Sequence, residues 1–486
     1  MSLIVATLSF LPVALLLYFY IRLNDTKLMQ LPHDVAFAFS PRRISARDAL
    51  AAEASWKKAL IDSKAFLPPS TGRRYIVVGG AGFLGGWIVR HLLERGEHPK
   101  RIRVLDIRPP TRVAFHQVDI SDKERVETAF NAPWPSLSDP DEWNHEDSSS
   151  VEITVFHTAA NIRFYERDPR LLHLSEKVNV EGTQNVLDAA RATGVSILIY
   201  TSSGSVSIRR TRLWLWPWEK QPEFVVQTIN DDDSRLPRRH EEMFSNYAAS
   251  KIKAERLVRA ADGTQSGRGQ LRTGCLRPGN GIYGPGGDIL CGAYLARRVN
   301  PSWIQDILQN FIYVENASLA HFCYEQRMIE KLRGSPNPDI GGQAFSIVDA
   351  GPPVTYGDVY TVLTTLTNGE TVFPRLSATT MLMLSHIIDP ALRRLGYIGR
   401  APVDDLINLQ PSLFSLTMIH LIWDDSRART SPEKGGLGYE PQWTTLSALC
   451  KLVEEHKKGP GRLEERSISG DISVGIGIGT GQRRGE

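Results

Sequence analysis

Residues 75–86 read YIVVGGAGFLGG: an apolar, β-branched run meets glycines at 79, 82 and 85, and a helical pattern follows from Trp87 to Glu94. Strand, glycine turn and helix in this order can cradle a dinucleotide phosphate. Glycine allows the tight turn and removes side chains that would hold the backbone off the pyrophosphate, while the helix start directs unpaired N–H groups at its charge. Glycine-rich turns also arise for packing alone, so the pattern needs a second feature. Asp106 supplies it. It ends the next strand, Arg101 to Leu105, about 20 residues past the last glycine, where a carboxylate can hold the adenosine ribose hydroxyls.

Outward from that stretch, the chain has 486 residues, of which 42% are apolar and 23% charged, enough for a large core and more than one lobe. A net charge of +3 is nearly balanced, and no basic face with interleaved aromatics points to nucleic acid, so none is expected as a partner. The four cysteines, Cys275, Cys291, Cys323 and Cys450, are far apart and match neither zinc-ligand nor redox-pair spacing. They read as buried thiols in a reducing compartment.

The amino terminus differs in kind. Leu3 to Ile21 carries no charge and as a helix spans roughly 28 Å, about one hydrocarbon core. It lacks the basic n-region and small-residue cleavage site of a signal peptide. A membrane anchor is the expectation and a buried core helix the alternative. Arg22 and Lys27 follow the run and nothing basic precedes it, which by the positive-inside rule keeps the remainder cytosolic. A single pass in the endoplasmic reticulum membrane is expected. Asn24-Asp25-Thr26 and Asn316-Ala317-Ser318 are sequons that could be glycosylated only in the lumen.

The pattern divides the chain into an anchor (1–24), a polar linker (25–71) with a short helix from Ser45 to Ser63, a dinucleotide-binding domain (72–280), a substrate-binding lobe (281–458) and a disordered tail (459–486). In the second domain, apolar runs at 75–78, 102–105, 113–118, 153–157, 197–202 and 271–276 alternate with helical patterns. The expected fold is therefore α/β, a Rossmann-type doubly wound parallel sheet with a smaller mixed C-terminal lobe and an N-terminal membrane helix. Two insertions interrupt it, Pro133–Ser150 as a surface loop and Arg209–Arg239 with Trp214, Trp216 and Trp218 around Pro217. The tryptophans fit packing, a substrate lid or a membrane-surface contact. Met381–Ile388 and Leu406–Trp423 read as core helices, with a bilayer contact as the alternative.

Chemistry gathers at residues 247–251, YAASK, where a spacing of four sets the Tyr247 phenol and the Lys251 ammonium on one helix face. A neighbouring cation favours phenolate, so Tyr247 could exchange a proton with an alcohol or ketone. Upstream, the strand from Ile197 runs into Thr201, Ser202, Ser203, Gly204 and Ser205. Hydroxyls are thereby placed at a strand's carboxyl end, where open α/β sheets hold ligands.

With these elements in order, residues 74–456 resemble the extended short-chain dehydrogenases. The resemblance rests on GGAGFLG, Asp106, Asp119-Ile120, VFHTAA at 155–160, Asn179 in NVEGTQNV, YTSSGSV, YAASK and LRPGNGIYGP at 276–285. Within that family YVENASLAH at 313–321, GGQAFSIVDAGPPV at 341–354 and LGYEP at 437–441 are similar to the 3β-hydroxysteroid dehydrogenases, nearest the sterol-4α-carboxylate 3-dehydrogenase (decarboxylating) branch. The resemblance implies Tyr247 as acid/base, Lys251 as binder of the nicotinamide ribose and tuner of Tyr247, and Ser203 as the contact to the substrate oxygen. Ser202 and Ser205 are the other serines in reach. Cofactor contacts fall to Gly79, Gly82, Phe83, Leu84, Gly85, Asp106, Asp119, Ile120, Ala159, Asn179, Tyr247, Lys251 and Pro278, with Asp119-Ile120 serving the adenine.

The implied activity is reversible hydride transfer between a secondary alcohol carbon and a nicotinamide, on an apolar, sterol- or triterpenoid-like substrate, with no metal required. Asp106 favours NAD over NADP, while Arg108 leaves room for a 2′-phosphate. A sugar-nucleotide epimerase or reductase of the same family and a noncatalytic dinucleotide sensor are the competing readings, and a homodimer is compatible with the sequence.

Overall fold

Period-two and fully apolar runs resolve into seven strands: β1 (Arg74–Val78), β2 (Ile102–Asp106), β3 (Ala114–Gln117), β4 (Ile153–His157), β5 (Ile197–Thr201), β6 (Arg272–Pro278) and β7 (Ala344–Ile347). The computed structural model describes residues 2–58, 62–109, 113–136, 151–397 and 409–459. All strand pairings in the sheet are parallel, in the order β7-β6-β5-β4-β1-β2-β3. Because strands of a parallel sheet are covered on both faces, β2 and β5 are buried at every position. The strand order reverses direction between β1 and β4, and there the register sets Val78 beside His157. A crevice opens at such a switch point.

Five helices place the site: α1 (Ser2–Met29), α2 (Phe83–Glu94), α3 (Asn246–Ala260), α4 (Val314–Leu332) and α5 (Ala378–Tyr397). Helix α2 begins at Phe83, four residues earlier than the apolar pattern indicates, because Gly82 serves as its N-cap in extended backbone. Helices α2 and α4 cover one face of the sheet. Leu84, Ile88 and Leu92 of the first and Ala317, Ala320 and Phe322 of the second share a core with β1, β4 and β5.

Three expectations on organisation are corrected. Strand β7 comes from the segment assigned to the substrate lobe and pairs with β6 through Ala344↔Cys275 to Ile347↔Pro278, so the sheet runs across the expected boundary at 280. Residues 25–71 are not a free linker. Leu28, Met29, Ala49 and Trp56 are buried, Arg43 pairs with Asp358 at 2.8 Å, and Trp56 packs on Trp443 at 5.2 Å and donates to Glu454. Leu406–Trp423 is not one helix either. Its described part forms a short helix, Pro411–Thr417, and then a strand, His420–Trp423, which pairs with Val226–Ile229 inside the second insertion.

Among the described residues no helix is long and apolar enough to cross a membrane. The expected span falls on α1, and its first residues, Leu3–Phe10, lie outside those whose side chains are described. The remainder, 11–21, reaches about 16 Å at 1.5 Å per residue, half a hydrocarbon core. Leu11, Val13, Leu15, Leu16, Leu17, Tyr18 and Phe19 are all exposed. The sequons give no topology check, because Asn24 and Asn316 are buried and their amides are engaged by Leu213, Thr379, Asp349 and Trp443. Cys275, Cys291 and Cys450 are buried free thiols and Cys323 is half-buried. The tail from residue 460 and residues 137–150 of the first insertion lie outside the described residues.

Candidate functional site

At the end of β1 the chain turns through Gly79, whose φ of +82° lies in the left-handed region that glycine enters at no steric cost. Its N–H donates to Leu105 O at 2.7 Å, and Gly82 N–H returns to Gly79 O at 3.0 Å. A side chain on Gly79 would begin 2.6 Å from Ala159 N, and one on Gly85 would begin 2.2 Å from Gly79 O. Gly79 therefore lets the turn pass Ala159, which follows β4 and donates to Val78 O at 3.1 Å. Gly85 lets α2 lie directly against the turn. No side chain caps α2, so the first-turn N–H groups at Phe83 and Leu84 point past Gly82 toward any anion in the crevice.

Asp106 closes this end of the crevice. Its Oδ2 accepts from Ala81 N at 3.0 Å and its Oδ1 from Arg108 N at 3.1 Å, which orients the carboxylate and leaves each oxygen a second lone pair. Asp119 stands exposed and accepts from Ser121 N at 2.9 Å, while Ile120 is buried against Gly182, where a Cβ would sit 2.6 Å from its side chain. Asn179 is placed differently from the rest. Its amide is used within the protein, accepting from Asn161 N at 2.7 Å and donating to Asn161 O at 3.0 Å and Ser250 Oγ at 2.9 Å. It clamps the irregular helical turn Lys177–Gly182 to the loop after β4 and to α3. The glycine cradle, the uncapped helix start and the oriented carboxylate together fit a pyrophosphate and a ribose diol.

The second cluster stands at the end of β5. Ser245 caps α3 by accepting from Ala248 N, which starts the helix so that Tyr247 and Lys251 lie one turn apart on the face toward β5. The half-buried Tyr247 phenol stands beside the Ser203 hydroxyl. Burial pushes the phenol up to about 12, and the Ser203 hydroxyl only partly offsets this. The expected lowering by Lys251 is absent from this arrangement, because the Lys251 ammonium is turned elsewhere. It donates to Thr201 O at 2.7 Å and lies 4.1 Å from the Tyr200 ring centre. Burial brings its pKa down to about 7, against the pull of Glu255 and Cys275. Of the three serines, Ser202 is committed to Glu255 at 2.6 Å, whereas Ser203 and Ser205 bond each other at 2.8 Å, and Ser203 is the one beside the phenol. Pro278 ends β6 behind this turn, and its carbonyl stands 2.7 Å from where a Gly204 Cβ would be.

Several supporting residues carry no short-range sequence signal. Thr201 is fixed by His321 Nε2 at 2.7 Å, and the other ring nitrogen of His321 meets Ala317 O at 2.7 Å. Burial holds that imidazole's pKa down to about 4, so the ring is neutral and donates from Nδ1. Its residue does fall in the YVENASLAH motif. Glu255 binds Arg277 through both oxygens, at 2.5 and 3.0 Å, behind Ser202. Trp423 presses on Gly204, where a Cβ would begin 1.6 Å from the indole. Leu213, Leu215, Val206, Ile208, Phe244 and Trp423 belong to one apolar cluster, against which Tyr247 packs.

A parallel sheet of this order with a phosphate turn at its switch point and a tyrosine–lysine pair beside it defines a protein of the short-chain dehydrogenase type. Its fold is shared with the UDP-glucose 4-epimerase of Thermus thermophilus solved with NAD, at a TM-score of 0.50 and 21% identity over 80% of this chain and 100% of that one. The sequence is more particular than the fold: the model of the 3-beta hydroxysteroid dehydrogenase/isomerase family matches residues 76–371, and the chain belongs to that family. Among its relatives, 3beta-hydroxysteroid-dehydrogenase/decarboxylase isoform 2 of Arabidopsis thaliana is 28% identical over 410 residues, 79% of this chain and 62% of that protein's length. The decarboxylating sterol-4-alpha-carboxylate 3-dehydrogenase of Candida albicans is 26% identical over 386 residues, 76% of this chain and 93% of its own.

Proposed function

We propose that the chain is an NAD(P)-dependent oxidoreductase acting on a secondary alcohol or ketone of a sterol- or triterpenoid-like substrate. The observation that carries this reading is the Tyr247 phenol, beside Ser203 at the end of β5 and set against an apolar cluster. Bound across the glycine turn, a nicotinamide dinucleotide supplies the hydride acceptor or donor. Tyr247 takes or returns the hydroxyl proton of the substrate, and Ser203 holds the same oxygen. Lys251 has three donors, of which Thr201 O takes one, leaving the others for ribose hydroxyls. Asp106 holds the adenosine ribose and repels a 2′-phosphate, so NAD is the preferred form. Where the substrate carries a carboxylate beta to the new ketone, carbon dioxide leaves without a further catalytic group, as the named activities of the Arabidopsis and Candida relatives would require.

We infer further that α1 attaches the protein to the endoplasmic reticulum membrane with the catalytic body in the cytosol. The support is the uncharged run to Ile21, the exposed apolar side chains from Leu11 to Phe19, and Arg22 and Lys27 after them. Incubation of the full chain with NAD or NADP and a panel of 3β-hydroxysteroids, with and without a C4 carboxylate, tests the first reading. Interconversion of UDP-sugar epimers without net cofactor reduction would replace it with the epimerase class, and turnover of neither substrate class would sink the enzyme reading. Protease protection in sealed microsomes tests the second. A catalytic body protected until detergent is added would overturn it.

A further inference from the structure

We propose that Trp216 and Trp218 form a lipid-binding pair that seats in the headgroup layer of the bilayer and holds the substrate side of the molecule against the membrane. The proposal rests on α1 as the attached segment and goes beyond it, because the pair lies 190 residues further along the chain and belongs to the catalytic body.

The pair is fixed to the end of α1. Asn24 donates to Leu213 O and accepts from Leu215 N, both at 3.3 Å, and Lys27 donates to Pro217 O at 2.8 Å. Asn24 and Lys27 are three residues apart and so lie on one helix face, and residues 213–217 run along that face into a turn that Glu219 N closes onto Trp216 O at 3.0 Å. Leu213 and Leu215 turn inward and are buried, Trp214 and Trp216 take the alternate positions, and Trp218 lies in the turn. Trp214 meets His386 of α5, with ring centres 5.6 Å apart. Trp216 and Trp218 stack on each other at 5.2 Å and 3°, and they remain 58% and 75% exposed.

Two more features select a bilayer as the occupant. Lys27 lies four residues past Leu23, about 6 Å along an α-helix, and the polar layer is roughly 5–8 Å deep on each side of the hydrocarbon. With the apolar part of α1 in the membrane, the indole pair falls at the depth where tryptophan is enriched. The local charges also suit anionic headgroups. Asp25 is engaged by Thr379 N and Glu219 by Arg212 and Trp216 N, whereas exposed Arg22 and Lys220 have no carboxylate partner among the described residues. Ile387 of α5, 73% exposed, extends the same rim. Leu213, Leu215, Met381 and Leu382 are buried in the same apolar cluster on which Tyr247 packs, so the rim and the surroundings of the phenol belong to one core.

The test uses the full chain with vesicles of phosphatidylcholine and phosphatidylserine whose acyl chains are brominated near the headgroup, and reads tryptophan emission after sedimentation. The expected result is that the wild type sediments with the vesicles and is quenched, while Trp216→Phe/Trp218→Phe also sediments but loses at least half of the quenched signal. The single variant Trp218→Phe, at the more exposed position, should lose an intermediate share. Equal quenching of wild type and double variant, with both sedimenting, would overturn the proposal and leave the anchor standing. Protein that stays in the supernatant would overturn the anchor and the pair together. A dimer that forms without vesicles and is lost in the double variant would assign the pair to a second copy instead.

Discussion

Lys251→Met should make the cofactor-free protein more stable while removing its activity. The ammonium is 1% exposed, and burial takes its pKa from lysine's ordinary 10.5 to about 7. A difference of 3.5 units between those two values corresponds to about 5 kcal/mol that the folded state gives up by burying or discharging the amine at pH 7. Methionine avoids that cost but leaves Thr201 O without its donor, a loss of about 1–3 kcal/mol, and removes the contact with the Tyr200 ring, about 1 kcal/mol. The net gain at pH 7 is about 1–3 kcal/mol, or a few degrees in Tm. Its pH dependence is specific. Between pH 7 and 10.5 the unfolded wild type binds more protons than the folded one, so wild-type stability rises through that window relative to the variant. Thermal melting of both proteins in the same detergent from pH 6.5 to 10 measures the gap, which should close toward alkaline pH. A variant that melts below wild type at pH 7, or a gap independent of pH, would refute the reasoning.

Tyr247→Phe should lower kcat by about 10²–10⁴ with cofactor affinity by fluorescence titration nearly intact, and Ser203→Ala should cost more rate than Ser202→Ala or Ser205→Ala. Gly85→Ala places a Cβ 2.2 Å from Gly79 O, and forced repacking of about 1–3 kcal/mol should appear as a cofactor Kd raised roughly 5- to 150-fold, measured by calorimetry. Glu255→Gln leaves the buried Arg277 with Asp233, at 2.8 Å, as its remaining countercharge and should cost about 1–3 kcal/mol in denaturant melts, with Glu255→Gln/Arg277→Met recovering part of it.

Local placement was legible in the sequence, and long-range contact was not. The glycine turn and Asp106 follow from residues within one βαβ unit, and Tyr247 and Lys251 from a single helical turn. The same reading separated Ser203 from its neighbours only by resemblance. What singles it out physically is that Glu255, on another element, removes Ser202. The direction of the Tyr247 shift was misread because proximity to Lys251 in the helix says nothing about where the ammonium points, and Thr201 O captures it. Strand β7 and Trp423 escaped notice because their partners, Cys275–Pro278 and Gly204, lie far back in the chain. Polar composition made residues 25–71 read as a tether, although Ser40, Arg43, Ile44 and Trp56 bond them to Pro353, Asp358 and Glu454 far along the chain.

That last attachment bears on biosynthesis. The early segment closes on Asp358, Trp443 and Glu454, residues that leave the ribosome after nearly the whole body has been made. At about 5–20 residues per second, roughly 20–80 seconds pass between the appearance of Trp56 and the appearance of its partners. For that interval Trp56, buried in the finished protein, lacks Trp443 and Glu454. Completion of the fold is thus a clasp of first-made on last-made chain, and a nascent polypeptide halted short of residue 443 would still present Trp56 to chaperones.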